Sequence, residues 1–209
     1  MTKYSLLFFA FLLTACVGKH SSDAQKVVTS DPGISTNITI GDTLNINLSS
    51  SNIYWKGTKM RGAGKHEGDI QLKDGFFITQ YKQIVGGQFA IDMHSIEVTD
   101  IPKTDPIPIK NLTDHLKNAD FFDVEKHPTS TFKIINVKST SSDSLQITGN
   151  LTLKNITKQI EFIAFYQNNL FSTTFSIDRF QWNIAYEGNW ADKTLVDKDI
   201  ELKIKLVVN

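Results

Sequence analysis

The sequence predicts an all-β protein built on an antiparallel sheet that closes on itself, with one short helix between strands. Three observations carry this. From about Ile34 onward, apolar and polar residues alternate in short runs broken by turn residues, the periodicity of half-buried strands. A complement of 14 Phe and 5 Tyr against 3 Met favours strands over a helical bundle. The runs are also numerous for a single domain, and closure is the simplest way for so many strands to avoid exposed edges.

The 209 residues, 40% apolar and 21% charged, suffice for one domain with a sizeable core. Basic and acidic side chains balance at 22 each and form no long basic run. Affinity built on neutralising nucleic-acid phosphates is thereby excluded.

At the N-terminus, Lys3 precedes the apolar run Tyr4–Leu13, and Thr14-Ala15 stands before Cys16. This is the layout of a signal peptide over residues 1–15, too short to span a bilayer. Residues 16–33 are rich in Ser, Lys, Asp and Gly and read as a flexible, solvated tether, leaving 34–209 as the folded domain.

Strands are expected at Thr43–Leu48, Ile53–Lys56, Gly68–Leu72, Phe76–Gln80, Gly87–Asp92, Gln159–Tyr166, Phe171–Ile177 and Trp182–Tyr186. Asp74-Gly75, Gly86-Gly87, Asn168-Asn169 and Glu187-Gly188 supply turn signals between them. Ser144–Leu153 puts Leu145, Ile147, Leu151 and Leu153 on one face, and the last segment does the same with Ile200, Leu202, Ile204, Leu206 and Val208. The run from Phe132 to Val137 is apolar on both sides, so its faces stay unassigned. The single helical patch is residues 109–122, where Leu112, Leu116 and Ala119 share a face and Pro108 and Pro128 bracket the region.

Cys16 is the only cysteine, which removes intramolecular disulfides and Cys-rich zinc sites. No two of the five histidines have helical metal-pair spacing. A sheet can still bring distant residues together, so His66, Asp92, His94 and His115 stand as a metal-site alternative. Arg179, after Asp178, is either a carboxylate or phosphate clamp at a cavity mouth or half of an Arg–Asp pair fastening a loop.

Two resemblances add to this reading. Leu13-Thr14-Ala15-Cys16 resembles the lipobox of bacterial lipoproteins, which implies lipidation at Cys16 and anchoring in a membrane. Val17, rather than Asp, follows the cysteine, so the resemblance points to the outer membrane within the cell envelope. The second covers Thr43 to the C-terminus. Trp55-x-Gly57, Gly64-x-His66-x-Gly68, Gly86-Gly87-x-Phe89-x-Ile91-Asp92-Met93, Asp120-Phe121-Phe122-Asp123-Val124, Pro128-Thr129-x-Thr131-Phe132 and Phe175-x-Ile177-Asp178-Arg179 run in the order of the YceI-like family of bacterial secreted proteins. That resemblance implies an eight-stranded antiparallel, lipocalin-like barrel whose apolar tunnel holds a polyisoprenoid in some members.

The resulting expectation is a non-enzymatic, membrane-anchored protein that sequesters or carries a long apolar ligand such as an isoprenoid quinone or polyprenyl lipid. It needs no catalytic residue, metal or cofactor. Candidate lining residues are the inward sets Phe89, Ile91 and Met93; Phe132 and Ile134; and Phe162, Phe175 and Ile177. Arg179 and His115 are candidates for a polar head group. A second copy of the chain is a further candidate partner. Two alternatives stand beside this reading: a metal-dependent enzyme or stress protein using His66, Asp92 and His115, and a filled-barrel structural envelope protein.

Overall fold

The structure, a computed structural model, describes residues 24–34, 40–185 and 196–209. The signal segment, Cys16 and Glu187-Gly188 lie outside them. In chain order the elements are β1 (Gln25–Lys26), β2 (Thr29–Ser30), β3 (Asp42–Asn45), β4 (Asn52–Lys59), β5 (Gly64–Gln80), β6 (Gln83–Val98), α1 (Pro106–Lys117), β7 (Thr129–Ser139), β8 (Ser144–Leu153), β9 (Ile156–Gln167), β10 (Leu170–Asp178) and β11 (Val196–Val207). Strands β4 to β11 pair antiparallel, each with the next, and β11 pairs back onto β4, closing an eight-stranded barrel. The inward residues of every strand form one core.

The alternation expected in β8 and β11 holds, with Ile147, Leu151, Leu153, Ile200 and Leu206 buried. Asn168 and Asn169 make the β9–β10 hairpin at φ 52° and 61°, left-handed values that Asn tolerates. In β7 the two-sided apolar pattern has a local cause. The ladder to β8 shifts between Ile134 and Asn136. Ile135 is the extra residue of a bulge, so Phe132 and Ile134 face inward before it and Val137 after it.

Elsewhere the expectations need correction. Gly68–Leu72 and Phe76–Gln80 belong to one strand, β5, in which Asp74-Gly75 is not a turn but pairs with Ala90 and Phe89, next to a bulge at Lys73. Gly75 is there for space: a Cβ on it would lie 2.7 Å from Cδ1 of Phe89. Gly86-Gly87 likewise sits inside β6, and the turn is made by Tyr81 and Lys82 at φ 50° and 63°. The strand expected at Trp182–Tyr186 does not form over its described residues, 182–185: a 3₁₀ turn covers Arg179–Trp182, with the Asp178 side chain accepting from Phe180 N at one end and Asn183 left-handed at the other. Tertiary burial overrides strand propensity here: Trp182 is fully buried and donates its Nε1–H to Leu151 O at 3.1 Å.

The helix begins and ends earlier than the expected 109–122, because Pro106 and Pro108 occupy its first turn, where their missing N–H groups cost nothing. It stops at Asn118, after which Phe122 N bonds back to Leu116 O at 3.1 Å. Nor are residues 16–33 tether throughout: β1 pairs parallel with β10, β2 pairs antiparallel with β9, and Val27 is buried between them in sequence.

Candidate functional site: an apolar cavity in the barrel

The barrel is not packed solid. A cavity of about 230 Å³ runs inside it, bounded by residues of all eight strands and of α1. Inward alternation brings the lining together: each strand contributes every second side chain, and closure turns those faces toward a common axis. All ten expected site residues border the cavity: Phe89, Ile91 and Met93 from β6, Phe132 and Ile134 from β7, Phe162 from β9, Phe175 and Ile177 from β10, His115 from α1, and Arg179.

One wall is a chain of rings. Phe89 and Phe132 lie 6.5 Å apart, Phe132 and Phe162 5.7 Å, and Phe162 and Phe175 4.6 Å, the last pair stacked. Gly149 of β8 makes room for this wall, since a Cβ there would fall 2.3 Å from Cζ of Phe132. A short helix set between strands suits a plug on a barrel mouth, and α1 takes that place: Leu112 and Leu116, with Phe121 and Phe122 after it, line one end of the cavity. These four residues are not among the candidates, although Leu112 and Leu116 share a helical face in the sequence.

Polar groups border the cavity at two places. Midway, the Ser130 hydroxyl donates to Met93 Sδ at 2.9 Å. The rest gather where β4 ends, β5 begins and α1 packs: Thr58, Lys59, Lys65, His66, His115, Arg179 and Asp197. There His66 Nδ1 meets Asp100 Oδ2 at 3.1 Å and His115 Nδ1 meets Asp120 Oδ2 at 3.5 Å. The other oxygen of each carboxylate, Asp100 Oδ1 and Asp120 Oδ1, is buried without a hydrogen-bond partner. Lys65 pairs with Glu67 at 2.9 Å, and that hydrogen bond raises the lysine's pKa above its ordinary value. Glu67 also accepts from the Tyr54 hydroxyl, which is the first cause holding its carboxyl below the usual range, and Lys65 is the second. Burial, followed by the Glu67 bond, pushes the Tyr54 hydroxyl up.

Arg179 fits neither expected role as first drawn. It is 1% exposed, and its Nε, Nη1 and Nη2 donate to the backbone carbonyls of Asp197, Ile184 and Val196 at 3.1, 2.5 and 3.1 Å. It does fasten a loop across the barrel end, but through carbonyls rather than an Arg–Asp side-chain pair, because Asp178 is engaged by Lys198 at 2.6 Å. Its ring neighbours are Phe180 at 4.4 Å and Phe121 at 5.7 Å. Burial lowers its pKa from the ordinary value, while the nearby carboxylates of Asp178 and Asp197 oppose the shift.

The alternative metal set does not assemble. Asp92 Oδ1 accepts from His94 N at 3.0 Å, while His66 and His115 face different aspartates. Among the described residues, no three His, Cys, Asp or Glu side chains are grouped as metal ligands.

A family profile described as YceI-like domain matches residues 44–208. BcnA of Burkholderia cenocepacia has a similar structure, with a TM-score of 0.62 and 21% identity over 78% of this chain and 99% of that one. A polyisoprenoid binding domain from Saccharophagus degradans, implicated in plant cell wall breakdown, gives a TM-score of 0.60 at 11% identity over 79% and 97%. At these identities the likeness is one of fold. Among curated sequences, a UPF0312 protein of Azotobacter vinelandii is 50% identical over 50 residues, a stretch covering 24% of this chain and 26% of that relative.

Proposed function

Because the chain belongs to the YceI-like domain family, matched over residues 44–208, we propose that it is a non-enzymatic carrier of a single long apolar molecule, a polyprenyl or isoprenoid-quinone type of lipid. The tail lies in the barrel cavity and the polar head group meets the cluster of Lys59, Lys65, His66 and His115. The observation carrying this reading is the distribution of polarity around the cavity. Its wall is aliphatic and aromatic along the barrel, and the charged and imidazole groups gather at one end. A molecule with one long apolar part and one small polar part matches that distribution. Burying about ten methylene equivalents contributes roughly 8 kcal/mol at ~0.8 kcal/mol each. That exceeds the several kcal/mol lost in ordering and association for a preformed cavity.

In this reading the N-terminal Cys16 carries acyl chains that hold the domain at the envelope membrane, with Val17 directing it to the outer membrane. Several acyl chains give a stable anchor where one would be marginal. The polyisoprenoid named for the Saccharophagus degradans domain supports the ligand class through shared architecture.

The test is to purify the full chain from its host's envelope, extract it with organic solvent and identify the lipids by mass spectrometry. Near-stoichiometric recovery of a polyprenyl-tailed lipid is expected. Recovery of bulk phospholipid alone, in proportion to the host membrane, would overturn the proposal.

A further inference from the structure

Residues 25–33 precede the matched domain, which starts at residue 44, yet they are built into the barrel wall. They lie where the barrel is least closed. The β8–β9 ladder runs from Ser144–Phe165 to Leu153–Ile156, the full length of β8. The β9–β10 ladder runs only from Gln167–Leu170 to Phe165–Ser172. Beyond the bond from Thr173 Oγ1 to Ile163 O, at 2.7 Å, the two strands part and the N-terminal segment fills the gap.

Where the ladder stops, one side chain bridges the two strands directly. Gln25 donates through Nε2 to Ile163 O at 2.8 Å and to Thr174 O at 3.2 Å, and accepts at Oε1 from Ile163 N at 2.8 Å. Val27 N donates to Ser176 O at 3.1 Å. Thr29 and Ser30 pair with Ile160 and Gln159, and Gly33 exchanges two hydrogen bonds with the Asn150 side chain, at 3.0 and 2.9 Å. Ile160 and Phe162 on one side of the gap, and Phe175 and Ile177 on the other, border the cavity.

We propose that residues 25–33 are a lateral gate through which the apolar tail enters and leaves between β9 and β10. The inference rests on the carrier reading and adds the route. The strap is held by hydrogen bonds that water can replace, by the ion pairs of Lys26 with Asp199 at 3.0 Å and of Asp31 with Lys158 at 3.6 Å, and by one buried apolar side chain, Val27. Exposed ion pairs and solvent-replaceable hydrogen bonds are inexpensive to break. Every other barrel seam carries a longer ladder, and the polar end of the cavity is fastened by the buried Arg179 and Trp182. Lifting the strap therefore opens the wall at the place where opening disturbs least, directly beside the ring-lined face.

The test uses the full chain carrying Ser30→Cys and Gln159→Cys. These side chains touch, Ser30 Oγ to Gln159 Oε1 at 3.3 Å, and Cys16→Ser leaves the pair as the only thiols. A dansyl-labelled farnesol is the stopped-flow probe. Oxidation should slow both entry and release by about tenfold or more while the equilibrium Kd stays within about twofold, because a gate changes rates and not end states. Reduction should restore the rates, and Gln25→Ala should raise both. Equal rates in oxidised and reduced protein, with saturable binding in both, would overturn the gate. Absence of saturable binding in the reduced protein would overturn the carrier reading on which the gate rests.

Discussion

Replacing Arg179 by Met separates a structural tie from a ligand clamp. Methionine keeps most of the aliphatic volume, so the loss falls on the three carbonyls, of Asp197, Ile184 and Val196, that the guanidinium now satisfies. A buried acceptor left without a partner costs about 1–3 kcal/mol. Three such acceptors, less the desolvation penalty that disappears with the buried charge, give a net loss of about 3–5 kcal/mol. For a domain of this size each kcal/mol moves Tm by about 2–4 °C, so a fall of roughly 10 °C is expected. Arg179→Lys keeps the charge with fewer directed donors and should fall between. Thermal unfolding followed by circular dichroism measures both, alongside titration with an apolar probe. A stability loss below about 1 kcal/mol would refute the reasoning, since the carbonyls would then be finding water. Unchanged stability with lost probe affinity would return Arg179 to the head-group role first expected of it.

Other consequences follow from the same geometry. Gly149→Ala places a methyl against the Phe132 ring, where the approach is 2.3 Å. The ring must move toward the cavity, and a loss of about 1–3 kcal/mol in urea denaturation, with weaker binding of long prenyl chains, is expected. An unchanged affinity would show that the ring wall does not meet the ligand. Tyr54→Phe removes the hydrogen bond that is the first cause of the lowered Glu67 pKa. A depressed folded-state carboxyl contributes stability above its ordinary unfolded value and loses it as pH falls through the folded one. The destabilisation by Tyr54→Phe should thus be full at neutral pH and shrink in acid below about pH 4, within the about 1 kcal/mol typical of exposed interactions. A deficit independent of pH would rule out Glu67 as the partner.

The parts of the fold that sequence made legible are those set by local alternation. β8 and β11 could be read face by face, and the inward residues of β6, β7, β9 and β10 did border the cavity. The errors have physical causes. Glycine marks a turn in the sequence pattern at Asp74-Gly75 and Gly86-Gly87, whereas Gly75 serves the Phe89 ring and the β5–β6 turn is made by Tyr81 and Lys82, which carry no turn signal. Trp182 leaves the strand pattern because its indole is buried and bonded to Leu151 O, a non-local contact. The strap was invisible for the same reason: a short polar stretch has no periodicity, and Gln25 finds its partners at Ile163 and Thr174, far along the chain. The cavity itself is a matter of what side chains leave unfilled, which alternation does not encode.

Native mass spectrometry of the chain mixed with geranylgeraniol, compared with the variant Leu151→Trp, puts the hollow barrel to trial most directly. Leu151 borders the cavity from β8, and an indole there occupies the space a prenyl tail needs. One lipid per chain on the native protein, and little or none on the variant, is the predicted outcome. No adduct on the native protein, or equal adducts on both, would contradict a ligand held inside the barrel.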